Sequence, residues 1–379
     1  MKPDFDRRQL MALIFVSSLA PAVRLIPKFN TQTAGSASWV APIVALPFLV
    51  LYVWFLSAFL AERHSGEGLG EMIMRTNGRA LGSVVLGGMA AFLIFCCGFI
   101  LRSGAERFIC TIYPAGNAWP FVIVMLALGL TAALGPRRAL LRSARIFSPM
   151  LVVVLVLVLL LALTNIDFNL ILPLSKGEPD KLGLAAIPMF EIYAGIFVYS
   201  AFFERPRELC RRRAKTYSLW LVPVCLLFTL LCAAAIGNYG SELISRFNYP
   251  FFTMIQNITV FKTIERIEAL VVALWVLPDF IIFAMMLIVA SHCLRLVFGY
   301  VPDTGDTVMH DMSNGRFLIP TSAALMLVVA VLLDMDSDNL NFYSHLVVPA
   351  ANLAISCVLI PASYVIGKLR TKRCSARCV

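Results

Sequence analysis

Ionisable side chains inside long apolar runs are the residues of this sequence best placed to do chemistry. A charge held in hydrocarbon is costly, so one that persists there faces a partner, a water-filled space or a ligand. Glu191, Gly195 and Tyr199 follow one another at i, i+4 and i+8, which puts them on one helix face. Glu265, Glu268, Trp275 and Asp279 make a second stripe, with Pro278 beside the deepest acid. Glu191 and Asp279 fall near the middle of their runs and are expected to face water or a ligand. Arg24, Arg102, Glu106 and Glu265 lie nearer the ends of theirs. Each of these either joins such a site or stretches its stem to reach the headgroups. Arg266 can pair with a neighbouring acid as a helix-end anchor, and His292 and His345, near run ends, are expected to be capped or solvated rather than ligands.

Backbone chemistry adds to the side chains. Pro21 and Pro27 are expected to interrupt the first apolar segment, and Pro188 and Gly195 mark the sixth. Interrupted segments at matching places in two halves of a membrane protein point to a transporter-like central site. Unpaired N–H and C=O groups there can hold a small zwitterion, helix-end dipoles favouring its carboxylate. Proline is also tolerated in spanning helices for structural reasons alone. The candidate ligand site therefore comprises Pro21, Arg24, Glu191, Gly195, Tyr199 and Asp279. No HExxH, GxSxG or nucleophile–base spacing occurs, so an enzyme is not expected. Most cysteines lie inside apolar runs as small hydrophobes (Cys96, Cys97, Cys225, Cys232, Cys293 and Cys357), and neither a metal nor a cofactor is expected.

The elements that position these residues are membrane helices. Hydrophobic residues make up 60% of the chain and charged residues only 14%, against about 45–50% and about 25% in soluble domains. Lipid must supply much of the solvent. Runs near the roughly 20 residues needed to cross a bilayer fall at about 9–28, 37–61, 83–104, 118–135, 144–164, 184–203, 216–237, 265–292, 317–333 and 341–367. The reading is a single all-α integral membrane domain over 1–379, with helices 1–5 over about 9–164 and helices 6–10 over about 184–367. Leu10–Ala22 reads as an uncleaved first helix rather than a signal peptide, because Pro21 would follow the cleavage point. A formal net charge of +10 on a soluble protein would raise nucleic-acid binding. Here the basic residues sit in short loops, where they set topology and meet anionic lipid headgroups. Arg7, Arg8, Arg63, Arg75, Arg79, Arg137, Arg138, Arg142 and the Arg205–Arg213 cluster all fall in alternate loops on one side. Lys28, Arg107, Lys176, Lys181, Arg246 and Lys262 fall on the other. Both termini are accordingly expected in the cytoplasm.

One stretch carries a resemblance. Asn248-Tyr249-Pro250 leads through Thr263-Ile264 into Glu265-Arg266-Ile267-Glu268-Ala269-Leu270, with Trp275 following. This resembles a signature of the B subunits of spore nutrient germinant receptors. Ile236-Gly237-Asn238-Tyr239-Gly240 and Leu25-Ile26-Pro27, followed by Ala34 and Trp39, are also similar. The resemblance implies the amino acid–polyamine–organocation transporter fold, with two inverted five-helix repeats and a pocket among helices one, three, six and eight. It implies sensing of a small germinant, commonly an amino acid, in the spore inner membrane beside A and C subunits. Where that family has a glycine-rich break in helix one, this chain reads Ala20-Pro21-Ala22, with Arg24 close by. A secondary transporter of amino acids or small amines is the other reading, and a membrane scaffold a third.

Overall fold

The computed structural model describes residues 7–64, 67–111, 116–172, 178–204, 210–256, 267–300, 315–333 and 342–375. Among them the chain is helical and contains no strand. The order is α1 (Arg7–Ala34), α2 (Ala41–Leu60), α3 (Leu69–Asn77), α4 (Arg79–Thr111), α5 (Trp119–Leu134), α6 (Arg137–Ala162), α7 (Phe168–Ile171) and α8 (Leu182–Ala185). It continues with α9 (Ile187–Ser200), α10 (Cys210–Arg246), α11 (Pro250–Gln256), α12 (Ile267–Val297) and α13 (Leu318–Leu332). The last helix, α14, runs through Tyr343–Val347, Val348–Leu353, Ala354–Leu359 and Ile360–Ser375; its first and third pieces are π-helical. A short 3₁₀ turn, Gly35–Val40, joins α1 to α2.

Prolines mark where several helices begin. Pro42, Pro120 and Pro188 occupy the first turns of α2, α5 and α9, where the missing N–H would have no intrahelical acceptor anyway. Helix α10 bends at Gly240, whose φ of 75° is open to glycine and strained for other residues. Gly98 of α4 lets α13 approach closely, since a Cβ there would stand 2.9 Å from the Met326 carbonyl oxygen.

Helix α1 lies at the centre, packed against α6, α9, α10 and α12; α4 packs on α12 and α13, and α2 on α9 and α10. The inner faces are mainly apolar, with a minority of buried polar and charged side chains. The outer faces are apolar too: Leu219 is 76% exposed and Val153 68%. Such a surface is at odds with water and suited to lipid. The chain is an integral membrane protein. Among the described residues, seven helical stretches are long and apolar enough to cross a membrane, fewer than the ten expected from apolar runs. The difference has a plain origin. Arg7–Leu60 is one 54-residue stretch that contains both α1 and α2, while α5 and α13, with 16 and 15 residues, fall short by length.

The expected break in helix one is absent. Residues Arg7–Ala34 form one continuous helix with Pro21 and Pro27 inside it. Each proline removes one donor and leaves a carbonyl a turn earlier without its usual partner, yet the helix continues through both, packed against four neighbouring helices. Gly195 likewise sits inside a continuous α9. In the sixth segment the change of structure comes earlier, between α8 and α9 at Ala186.

Candidate functional site

A cavity of about 710 Å³, counting its open mouth, lies where α1, α4, α9, α12 and α14 converge. Five of the six expected ligand-site residues line it: Pro21 and Arg24 from α1, Glu191 and Tyr199 from α9, and Asp279 from α12. Gly195 does not. It lies behind the wall, where an added Cβ would stand 2.9 Å from Asn352 Oδ1. Its role in the structure is to let Asn352 come close to α9.

Asn352 organises one end of the cavity. Its Nδ2 donates to Glu191 Oε2 at 2.8 Å, and its Oδ1 accepts from the Tyr199 hydroxyl at 2.7 Å. All three side chains are buried. Tyr199 and Glu191 stand on one face of α9 because eight residues make slightly more than two turns, and the amide of α14 bridges them. The π-helical pieces on either side of Val348–Leu353 set the facing of Asn352; such turns recur at functional positions in helices. Nearby, Ser18 of α1 donates to the Tyr193 hydroxyl at 2.7 Å, tying α1 to α9.

The other end is ionic. Arg107 of α4 forms a buried ion pair with Asp279 of α12. The Arg107 guanidinium also stands over the Phe252 ring of α11, 5.3 Å from its centroid. Phe252 and Phe251 pack in turn on the fully buried Trp275, at 5.5 and 5.1 Å between centroids. The stripe of Trp275 and Asp279 thus faces inward. Arg24 does not reach out toward headgroups. Its guanidinium lies over Phe99 of α4, 4.7 Å from the ring centroid, in the cavity wall. Glu106 accepts from the Tyr249 hydroxyl at 3.2 Å.

Several placements differ from expectation. Arg107 counts as a loop charge if the third span ends near 104, but α4 continues to Thr111 and turns it inward. Asn352 escapes a search restricted to charges; the available signal is an amide within the apolar run of the last segment. His292 is neither capped nor solvated. It is buried, with Nδ1 3.2 Å from Arg137 Nη2, linking α12 to α6, and Nε2 3.6 Å from Glu71 Oε1 of α3. Glu265 and Arg266 lie outside the described residues, and Glu268 is described only as part of the α12 backbone. Among the described residues no group of histidine, cysteine and acidic side chains could hold a metal ion.

Comparison with known proteins places this architecture. Residues 5–334 match the family described as spore germination protein. The chain belongs to that family. Its fold is shared with membrane transporters. A nucleobase-cation-symport-1 family transporter, solved closed with bromovinylhydantoin bound, is similar over 95% of this chain and 76% of its own, with 15% identity and a TM-score of 0.64. A Na+-coupled sialic acid symporter, solved substrate-bound and outward-open, is similar over 94% and 79%, with 12% identity and a TM-score of 0.65. Comparison with curated protein sequences finds no match. At such identities the likeness is one of fold, and it agrees with the all-α, transporter-like architecture read from the sequence. The spore germination family thus supplies a transporter-like membrane protein whose central cavity is walled by α1, α4, α9, α12 and α14.

Proposed function

We propose that this spore germination protein is a nutrient-sensing membrane subunit of a germinant receptor, with a small ligand, an amino acid or similar, held in the central cavity. The observation that carries the reading is the Glu191–Asn352–Tyr199 network in the wall of an internal cavity. Buried polar groups of this kind are expensive unless satisfied, and here they converge from two helices on one space. In this reading Pro21, Arg24, Glu191, Tyr199 and Asp279 line the ligand site and Gly195 holds its wall. The chain crosses the membrane ten times as two inverted five-helix repeats, with α5 and α13 as short crossings and both termini cytoplasmic. It resides in the spore inner membrane beside A and C subunits, and the Glu265–Leu270 segment carries the family signature.

The test is germination of spores lacking this chain across a panel of amino acids, sugars and nucleosides. Loss of the response to one nutrient class supports the reading; normal germination with every nutrient sinks it.

Secondary transport is a second reading, favoured by the transporter identity of the two similar solved structures. One scaffold serves both tasks. Uptake of labelled amino acids or amines by proteoliposomes holding this chain alone would support transport, and no uptake across the panel would remove it.

A further inference from the structure

We propose that Arg24 is the anion anchor of the cavity, so that the ligand taken here carries a carboxylate and, toward Glu191, a hydrogen-bond donor. The inference rests on the sensing reading and narrows its substrate class. Arg24 stands in the cavity wall with its guanidinium over the Phe99 ring. Stacking on an aromatic face orients the plane of the fork but leaves its five N–H donors in place for acceptors. Among the described residues no hydrogen bond or ion pair engages those donors. The acids nearby make their direct contacts with other groups: Asp279 with Arg107, and Glu106 with the Tyr249 hydroxyl. Lys28, one turn further along α1, donates to Asn248 Oδ1 at 3.1 Å.

Both acids act on Arg24 through space, but among the described residues neither meets its fork in a direct ion pair. A carboxylate presents two oxygens in the spacing of the guanidinium fork, and the bidentate pair is the strong form of charge-assisted hydrogen bond. At the other end, Glu191 accepts from Asn352 through Oε2 alone among the described residues, so the carboxyl group keeps capacity for a donor on the ligand. The two ends together fit a small amino carboxylate. A sugar or a nucleoside offers Arg24 only neutral acceptors and so leaves its charge without a counter-ion.

The experiment uses the full-length chain in lipid nanodiscs, probed by ligand-dependent thermal shift. The standard amino acids, their α-amides, glucose and inosine serve as probes. The expected result is binding of at least one amino acid and none of its amide. Arg24→Gln is expected to weaken that binding by about 10- to 100-fold, the size of a lost charge-assisted hydrogen bond, with Arg24→Lys in between. An amide, glucose or inosine bound as tightly as the acid, or an Arg24→Gln variant with unchanged affinity, overturns the anion anchor and leaves sensing intact. Should Arg24→Gln fail to fold, the acid-against-amide comparison in the unaltered protein decides alone. Absence of binding by every probe overturns both readings.

Discussion

Arg107 and Asp279 show how a single pair can organise a membrane site. Two charges buried between α4 and α12 are tolerable only together, because each removes the other's desolvation penalty in part. Asp279→Ala leaves the Arg107 charge without its acid and is expected to destabilise the folded protein by about 3–5 kcal/mol. Removing both charges, as Arg107→Leu with Asp279→Leu, should recover much of that loss. Thermal unfolding of the detergent-solubilised variants measures both; a single variant as stable as the parent contradicts the account. Sequence shows Asp279 readily, since a carboxylate amid apolar residues stands out. It hides Arg107, because apolar periodicity thins after residue 104 and a helix end cannot be told there from a loop. It hides Asn352 for a different reason: an uncharged amide in an apolar run carries no penalty large enough to mark it as functional.

Helices differ in how plainly the chain announces them. The valine and leucine run of α6 declares itself by composition, whereas α3 and α11 are too short to stand out from loop sequence. Leu69, Met72 and Ile73 of α3 become legible only once α4 and α14 supply the surface they bury against. Pro21 misleads in the opposite sense. Proline in isolation predicts a break, but a helix packed against four others can continue through it. Gly195 shows what a small residue does within an unbroken helix. Gly195→Ala places a methyl 2.9 Å from Asn352 Oδ1, so the amide must shift away from Tyr199 and Glu191. The expected outcome is a modest stability loss of about 1–3 kcal/mol and a clearly weakened nutrient response. Spores carrying this variant at normal abundance but with an unchanged dose–response would show that the network does not shape the site.

At the scale of the whole molecule, apolar fraction and loop charge set the class of protein, and packing decides the rest. Lipid-facing and core-facing surfaces are equally apolar here, so hydrophobicity alone could not say which faces meet; small residues and polar links such as Ser18–Tyr193 do. Orientation is a prediction of the charge pattern alone. Fusion of alkaline phosphatase to the C-terminus should give an inactive enzyme, and fusion of green fluorescent protein a fluorescent one. The reverse pair would place the termini outside.

Nutrient sensing in the central cavity is the claim on which the rest depends, and the dose–response of germination in spores carrying Glu191→Gln tests it most directly. The substitution keeps the shape of the side chain and its contact with Asn352 while removing the carboxylate. With membrane abundance unchanged, the account predicts that the response to one amino acid is lost or needs at least about 10-fold more ligand, the effect of one charge-assisted hydrogen bond, while other nutrients act as before. An unchanged response to every nutrient would contradict it.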